Sequence, residues 1–489
     1  MDGSGTQWRR FVAAAIAAAI VLVRGPARAE PLSDEASRAL LAALEGPSAS
    51  AAREAIDRIL EAGDRRFVAV FVELLRAAES GVAAPGVRDD AARALEALTR
   101  EPFGRDWPAW VRWYAASDLE PPPGFLGFKG RLLSRIDPRF GELLRDDLPR
   151  RIRVEEIVWG GVAYEGIPAL DRVPSVPGRE ATHLGPDEPV FGVRIGGAAR
   201  AYPLRILDWH ELANDELGGV PISLAYCTLC GSGIVYEARL PGHDRLDFGS
   251  SGLLMRSNKL MVDRQTRTLW SQLTGEPVLG ALAGREIRLR PLSSVVTRWR
   301  DWLARHPETT VLSLETGYDR PYRPGEPYAG YFASPATMFP VERRRSELPE
   351  KERILGVERD GRAKAWPLAT LLERRVVNDG VGDLSLVFVA RGERIWVEGS
   401  TARSGPFRYE AGGEVRAYRR GERVFREGEG RDDLLDDAGR RWSIEEDALL
   451  DGAGARLERV PGIVSYWFAW QAFHPQTELY RPDASEPGR

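Results

Sequence analysis

Two stretches of this 489-residue chain repeat each other, and that repeat limits the possible folds more than any other feature. FGVRIGGAARAYPL (residues 191–204) matches LGVERDGRAKAWPL (residues 355–368), and the same offset aligns Asn214-Asp215 with Asn378-Asp379. Farther along, TRWRDWLARHP aligns with SYWFAWQAFHP. The two stretches agree at both ends with only small gaps between, and chance is a poor explanation for this agreement. The sequence therefore predicts two copies of one domain.

Comparison of the two copies separates residues that both keep from residues that only one has. The first copy contains His210 and the only two cysteines of the chain, Cys227 and Cys230. In the second copy arginine stands at all three aligned positions (Arg374, Arg391 and Arg394). Both copies contain the same turn and core residues, whereas only the first copy contains the reactive groups. This pattern predicts an active first copy and a second copy that supports it.

The pattern as a whole predicts an α+β fold, with an all-helical N-terminal domain followed by a duplicated, strand-rich α+β domain. Segments such as AAREAIDRILEAG place apolar residues at helical spacing, and their succession resembles HEAT-like packing. The run Pro121-Pro122-Pro123-Gly124 interrupts the helical pattern. The predicted parts are a helical domain (30–120), a linker (121–149), the first copy (150–335), a second, degenerate copy (336–480) and a tail (481–489).

The first 29 residues have the layout of a signal peptide. Arg9-Arg10 precede an apolar run from Phe11 to Val23, and Ala27-Arg28-Ala29 forms an A-x-A exit. The run is shorter than the ~20 residues that span a bilayer, and no later segment is apolar enough to cross one. We therefore expect an exported protein, periplasmic or secreted, with no transmembrane segment after cleavage.

Charge and motif content exclude several classes of function. The formal net charge is −4, and arginines are mixed with acidic residues without a like-charge block, so nucleic acid is not an expected partner. Phosphate-binding, dinucleotide-binding, metalloprotease and serine-hydrolase motifs are absent from the sequence. Gly231 after Cys230 excludes covalent c-type haem. The helical domain remains a candidate docking surface for a protein partner of unknown identity.

The two cysteines stand in the motif YCTLCG, at a spacing that both redox dithiols and metal thiolates use. A structural disulfide is the first alternative, but closing so short a loop stabilises a fold by only about 2 kcal/mol. Two buried, inert thiols are the second alternative, and free thiols without a purpose are unusual in an oxidising compartment. The motif VPISLAYC before the turn is typical of a strand, which places the cysteines at a strand end.

Three further residues are candidate companions of the cysteines. His210 could activate a thiol or bind a metal, and Glu211 follows it directly. Met261 is either a core residue or a soft ligand. The candidate catalytic residues are Cys227, Cys230, His210 and Glu211; the candidate ligands for copper or zinc are Cys227, Cys230, His210 and Met261.

The motifs YCTLCG, SGLLMRSNKLMVDRQTRTLWSQLTG and WFAWQAFHP, with the Asn-Asp before a GG turn, resemble the bacterial family called domain of unknown function 3179. The resemblance covers residues 150–480 and implies an exported protein with no established reaction. The helical N-terminal part is similar to an extension found in some members. Many members have proline where Thr228 stands here, so an argument that needs this proline does not apply.

Three functions stay open at this point. The first is a soft-metal site, with copper or zinc bound by the CxxC cysteines and His210. The second is a periplasmic thiol–disulfide oxidoreductase, in which His210 sets the pKa of a thiolate. The third is a scaffold or partner-binding module without catalysis. The residues favour the metal site, because no thioredoxin-like βαβ pattern precedes the cysteines.

Overall fold

The computed structural model describes residues 31–83, 86–171, 173–430 and 432–482. The predicted signal peptide, residues 1–29, and positions 483–489 of the predicted tail lie outside these residues. The described chain begins with helices and continues as a strand-rich region with several sheets and some helices, which confirms an α+β fold.

Helices fill the N-terminal part. Their bounds are α1 Asp34–Glu45, α2 Ala49–Ala62, α3 Val68–Glu79, α4 Val87–Thr99, α5 Trp107–Ala115, α6 Phe125–Leu133 and α7 Arg139–Leu143. Side chains of Ser33, Ser48 and Asp106 cap the starts of α1, α2 and α5 by accepting backbone N–H groups. Residues 121–149, predicted as a linker, contain α6 and α7.

The helical part packs directly on the strand-rich part. A single apolar cluster joins Phe71 and Leu74 of α3 and Phe128 of α6 to Ile157 and Leu260 in the strands that follow. Apolar burial of this kind, rather than a flexible connection, holds the two parts together. No helix in the described ranges has the length and apolar character needed to cross a membrane.

The next part carries the strands around the cysteines. Its elements are β1 Ile157–Trp159, β2 Leu170–Asp171, β3 Ser175–Pro177, β4 Pro189–Ile195, β5 Ala198–Pro203, α8 Leu204–His210, β6 Leu212–Leu217, β7 Val220–Cys227, β8 Ser232–Glu237, β9 Phe248–Met255, β10 Asn258–Asp263, β11 Leu269–Ser271, β12 Pro277–Leu279, β13 Pro291–Leu292, β14 Ser294–Arg298, α9 Trp299–Arg305 and β15 Thr310–Leu312. They form three sheets of order β1-β9-β10-β11-β12, β13-β8-β7-β6-β2 and β14-β4-β5-β15-β3.

The last part has two sheets. Its elements are α10 Ala329–Ala333, β16 Arg353–Arg359, β17 Arg362–Pro367, α11 Leu368–Arg374, β18 Val376–Val381, β19 Leu384–Thr401, β20 Gly405–Arg419, β21 Phe425–Glu427, β22 Asp433–Asp436, β23 Arg441–Ile444, β24 Ala448–Asp451, β25 Arg456–Val460, β26 Ile463–Tyr466, α12 Trp467–Phe473 and β27 Glu478–Leu479. The sheet orders are β26-β16-β17-β27 and β18-β19-β20-β25-β24-β23-β22-β21.

Residues matched by the sequence repeat make similar contacts. Asn214 Nδ2 donates to the carbonyl oxygen of Phe248 at 2.8 Å, and the N–H of Phe248 donates back to Asn214 Oδ1 at 3.0 Å. Asn378 makes the same pair of bonds with Phe425, at 2.7 and 2.8 Å. In both places an asparagine ties the strand after the short helix to a distant strand.

Candidate functional site

The CxxC motif forms a tight turn between β7 and β8. The N–H of Cys230 donates to the carbonyl oxygen of Cys227 at 3.2 Å, and Gly231 completes the turn with φ +57°. A Cβ atom at Gly231 would lie 2.9 Å from Arg353 Nη1 and 3.1 Å from the Tyr466 ring. Glycine is therefore required here by both its left-handed backbone and the lack of space. The structure confirms the predicted position at a strand end.

The turn is held by the last part of the chain. The N–H of Tyr466 donates to the carbonyl oxygen of Cys230 at 2.8 Å, and Arg353 Nη1 donates to that of Gly231 at 3.1 Å. The hydroxyl of Tyr331 donates to the carbonyl oxygen of Leu229 at 2.5 Å. β16, β26 and α10 therefore close over the cysteines from outside the sheet that carries them.

Both cysteines are free thiols, and both are buried, at 1% and 0% exposure for Cys227 and Cys230. Cys230 Sγ lies 3.4 Å from the carbonyl oxygen of Ser257 and 3.3 Å from Asn258 Nδ2, which donates to it. The same amide nitrogen lies 2.8 Å from Gln272 Oε1. Two polar groups of the β9–β10 hairpin thus contact the second sulfur, and Gln272, directly after β11, holds Asn258.

The hairpin that presents Asn258 has an unusual turn. Arg256 and Ser257 occupy its two central positions with φ +50° and +60°. Two left-handed residues in a row form the turn that matches strand twist, but asparagine and glycine are the usual occupants. Ser257 is fixed there because its hydroxyl donates to the carbonyl oxygen of Pro340 at 2.7 Å. The turn is thereby held against the segment that covers the cysteines.

A buried ion pair lies next to the first cysteine. Lys259 Nζ is 2.8 Å from Glu211 Oε2, and the two side chains are only 5% and 8% exposed. The hydroxyl of Thr228 donates to Glu211 Oε1 at 2.9 Å, so both carboxylate oxygens are bonded. Glu211 itself has φ +57°, and its carbonyl oxygen accepts the N–H of Tyr226 at 2.7 Å. The structure therefore places Glu211, a predicted site residue, in the network around CxxC.

The two thiols have opposite pKa shifts. Burial and the carboxylate of Glu211 raise the pKa of the Cys227 thiol, but a hydrogen bond with Cys230 and the backbone N–H and ammonium of Lys259 outweigh them, and the net direction is downward. Burial, followed by the hydrogen bond with Cys227, raises the pKa of Cys230 well above its ordinary value. Cys227 is therefore the more acidic of the two thiols.

The ring of His210 makes hydrogen bonds to residues other than the two cysteines. Its Nδ1 donates to the carbonyl oxygen of Pro168 at 2.8 Å, and its Nε2 lies 2.6 Å from the hydroxyl of Tyr322. Because Nδ1 carries the proton, Nε2 of the neutral ring accepts from Tyr322. Burial lowers the pKa of His210, which keeps the ring neutral. The ring also packs against Tyr318, with centroids 5.2 Å apart.

Met261 is a core residue in this structure. It is fully buried in β10, in an apolar cluster that includes Ala225, Ile234 and Trp270, whereas the cysteines belong to another cluster with Tyr466. Within the described residues, no group of three or more His, Cys, Asp or Glu side chains is placed to hold a metal ion. The structure therefore does not assemble the four predicted ligands around one point.

Several residues of the site were missed by the sequence analysis. Lys259 stands in the strand NKLMVD, and a lysine directly before the apolar run LMV is the signal that was available. Arg353 gave no local signal, because its contact with the turn spans more than a hundred positions. Asp208 is fully buried beside these groups, and burial followed by the charge of Glu211 raises its pKa well above the ordinary value.

Comparisons with known proteins give one match. Residues 164–477 match the family described as Protein of unknown function (DUF3179). Neither the curated proteins nor the solved structures that were searched contain a match to this chain. The family match covers more than half of the 489 residues and includes the CxxC turn, the Lys259–Glu211 pair and the covering strands. The chain therefore belongs to the DUF3179 family of proteins of unknown function.

Proposed function

We propose that Cys227 and Cys230 are the redox-active dithiol of a thiol–disulfide oxidoreductase. The observation that carries this proposal is that two free thiols share one tight turn, with the Lys259–Glu211 pair beside Cys227. The pKa directions agree with it, since the pKa is lowered at Cys227 and raised at Cys230. A dithiol enzyme needs one thiolate that attacks the substrate disulfide and a second thiol that later resolves the mixed disulfide. Lys259 supports the thiolate, and Glu211 and Thr228 hold Lys259 in place.

The reaction balances without a metal. The Cys227 thiolate attacks one sulfur of a substrate disulfide, which forms a mixed disulfide and expels the other substrate sulfur as a thiolate. Cys230 then gives its proton to that thiolate and attacks Cys227. The bond between Cys227 and the substrate breaks, and the protein is left with a Cys227–Cys230 disulfide. The substrate gains two electrons and the protein loses two.

Substrate access in this proposal depends on the segment that covers the turn. Residues 313–352, between β15 and β16, contain α10 as their sole helix and no strand. Tyr331 of α10 and Tyr322 contact Leu229 and His210, respectively. Irregular segments of this length in a compact domain are commonly functional, and lids over active sites are a recurring case. We infer that this segment moves when substrate binds.

Several expectations from the sequence analysis are kept as part of this proposal. Export to the periplasm or the exterior supplies disulfide substrates, and the helical part offers a surface for a protein partner. We also propose that the strand-rich region arose by duplication. A matching contact supports this: Trp302 Nε1 donates to Thr309 Oγ1 at 2.9 Å, and the aligned Trp470 donates to Thr477 at the same distance. The HEAT-like character of the helices remains a prediction.

The test is a thiol titration of the protein purified from its own compartment, with and without reductant, together with a measurement of bound metals. We expect two thiols after reduction, a single disulfide after treatment with oxidised glutathione, and full reversibility. Cys227→Ser should abolish formation of a mixed disulfide, whereas Cys230→Ser should trap it. Two thiols that never oxidise, in a protein whose fold and phenotype survive both substitutions, would support the scaffold alternative and reject the dithiol.

Copper or zinc is the second candidate, because two free thiols at the end of a strand are soft ligands that suit either metal. The same purified protein decides between the candidates. Stoichiometric metal that is lost in Cys227→Ser, together with thiols that react only after chelation, would replace the redox proposal with metal binding. His210→Gln is the matched control, since a redox dithiol without histidine should keep its cycle.

A further inference from the structure

A polar cavity lies between α9 of the first strand-rich part and β19 of the second, at the position that corresponds to the CxxC turn in the sequence repeat. The cavity has a volume of about 540 Å³, and five arginines line it: Arg298, Arg300, Arg305, Arg375 and Arg391. Arg391 is the residue that the repeat aligns with Cys227. The cavity lies on β19, as the CxxC turn lies on β7, and it plays no part in the proposed dithiol reaction.

One edge of the Arg391 guanidinium has no hydrogen-bond partner among the described residues. Its side chain is 13% exposed, and its Nη1 contacts Asp432. Its Nε and Nη2 are buried and have no hydrogen-bond partner among the described residues. These two nitrogens lie on the same side of the planar guanidinium, and their N–H groups are parallel. Two buried donors left without acceptors are unfavourable, and such groups call for a ligand.

The carboxylates around Arg391 leave two of its N–H groups unpaired. Burial, followed by the guanidinium of Arg416, lowers the pKa of Arg391, and the carboxylates of Asp432 and Glu414 offset only part of this effect. Glu414 is a buried carboxylate at the same cavity, but it is already bound by Arg416 at 2.6 Å and by Arg305 at 2.9 Å. Asp432 is the direct partner of Arg391, and its side chain is 66% exposed.

A second guanidinium is available at the same cavity. Arg375 is exposed and makes no side-chain hydrogen bond or ion pair with any other described residue. Its backbone is fixed, because its N–H donates to Leu371 at 2.9 Å and its carbonyl oxygen accepts from Ala390 at 2.7 Å. The backbone of Arg375 is therefore held in place at the cavity wall, next to β19, which carries Arg391.

We propose that this cavity binds a small carboxylate, with its two oxygens paired to Nε and Nη2 of Arg391 and with Arg375 as a second cation. Paired N–H donors on one edge of a guanidinium match the two coplanar oxygens of a carboxylate, and such bidentate pairs are among the strongest hydrogen bonds in proteins. Six acidic residues also line the cavity, which disfavours a multiply charged phosphate: Asp301, Glu414, Glu427, Glu429, Asp432 and Asp433.

The test uses the full chain and compares propionate with its neutral analogue propionamide, at constant ionic strength. We expect calorimetry or ligand-observed NMR to detect propionate and not propionamide. Arg391→Lys keeps the charge but removes the paired donors, so it should weaken propionate binding by about tenfold. Arg375→Gln changes an exposed residue, so it should fold normally and also weaken binding. Arg408→Lys, on an exposed ion pair with Glu398, is the matched control.

Three outcomes would overturn the proposal. The first is equal affinity for propionate and propionamide, which would mean that the carboxylate is not recognised. The second is propionate affinity that is unchanged in both Arg391→Lys and Arg375→Gln, with thermal unfolding showing that both variants are folded. The third is binding of inorganic phosphate but not of propionate, which would assign the cavity to another class of anion.

Discussion

Lys259 and Glu211 allow a quantitative test of the site, because both charges are almost completely buried and each is the direct partner of the other at 2.8 Å. Lys259→Met removes the cation and keeps an apolar side chain of similar length. Glu211 is then left as a buried carboxylate that retains only the hydroxyl of Thr228. Removing one partner of a buried ion pair destabilises proteins by about 3–5 kcal/mol, and we expect a loss in this range.

Urea unfolding measures this loss, and two further variants make it specific. The double variant Glu211→Gln/Lys259→Met removes both charges, so it should recover a large part of the free energy of unfolding. Arg408→Met breaks the exposed pair with Glu398, in which both side chains are more than 60% exposed, and should change stability by about 1 kcal/mol or less. A Lys259→Met variant no less stable than Arg408→Met would refute the buried-pair reasoning.

Three further predictions concern the CxxC turn, the carboxylate of Glu211 and the half-buried His474. Gly231→Ala should destabilise the protein more than Gly454→Ala, because both positions have positive φ but a Cβ at Gly454 would meet no atom within 4 Å; equal unfolding midpoints would contradict this. Thr228→Val leaves one oxygen of Glu211 without its donor, and thermal unfolding should show a loss of about 1–3 kcal/mol. Burial lowers the pKa of His474 to about 4, from 6.5. The unfolded chain therefore binds more protons between these values, so stability should rise from pH 4 to 6.5, and His474→Gln should flatten that rise in urea midpoints.

Some of the candidate site was predictable from local sequence. The apolar run before the cysteines predicted the strand end where the CxxC turn lies, since alternating and apolar patterns report burial along a strand. Glu211 was a candidate because it follows His210, and the structure places it in the network with Thr228 and Lys259. The helical spacing of apolar residues before position 116 was equally local, and it predicted helices that the structure contains.

Other parts of the site depended on chain segments far apart in sequence. His210 precedes Glu211 directly, yet its ring bonds to Pro168 and Tyr322 on other segments. Glu211 has a left-handed backbone at the end of α8, which turns the chain between the two residues. The periodicity of the sequence does not predict this change of direction. The change depends on the final turn of α8 and on the residues that pack against that turn.

By itself, the sequence determined the family, the helical start followed by a strand-rich region, and the turn that carries Cys227 and Cys230. These features depend on residue spacing over short stretches, where backbone geometry and apolar periodicity act directly. Only the tertiary structure decided which charged groups face the sulfurs. Lys259 and Arg353 reach the turn through contacts between distant strands, and those contacts form only when the sheets pack and exclude water.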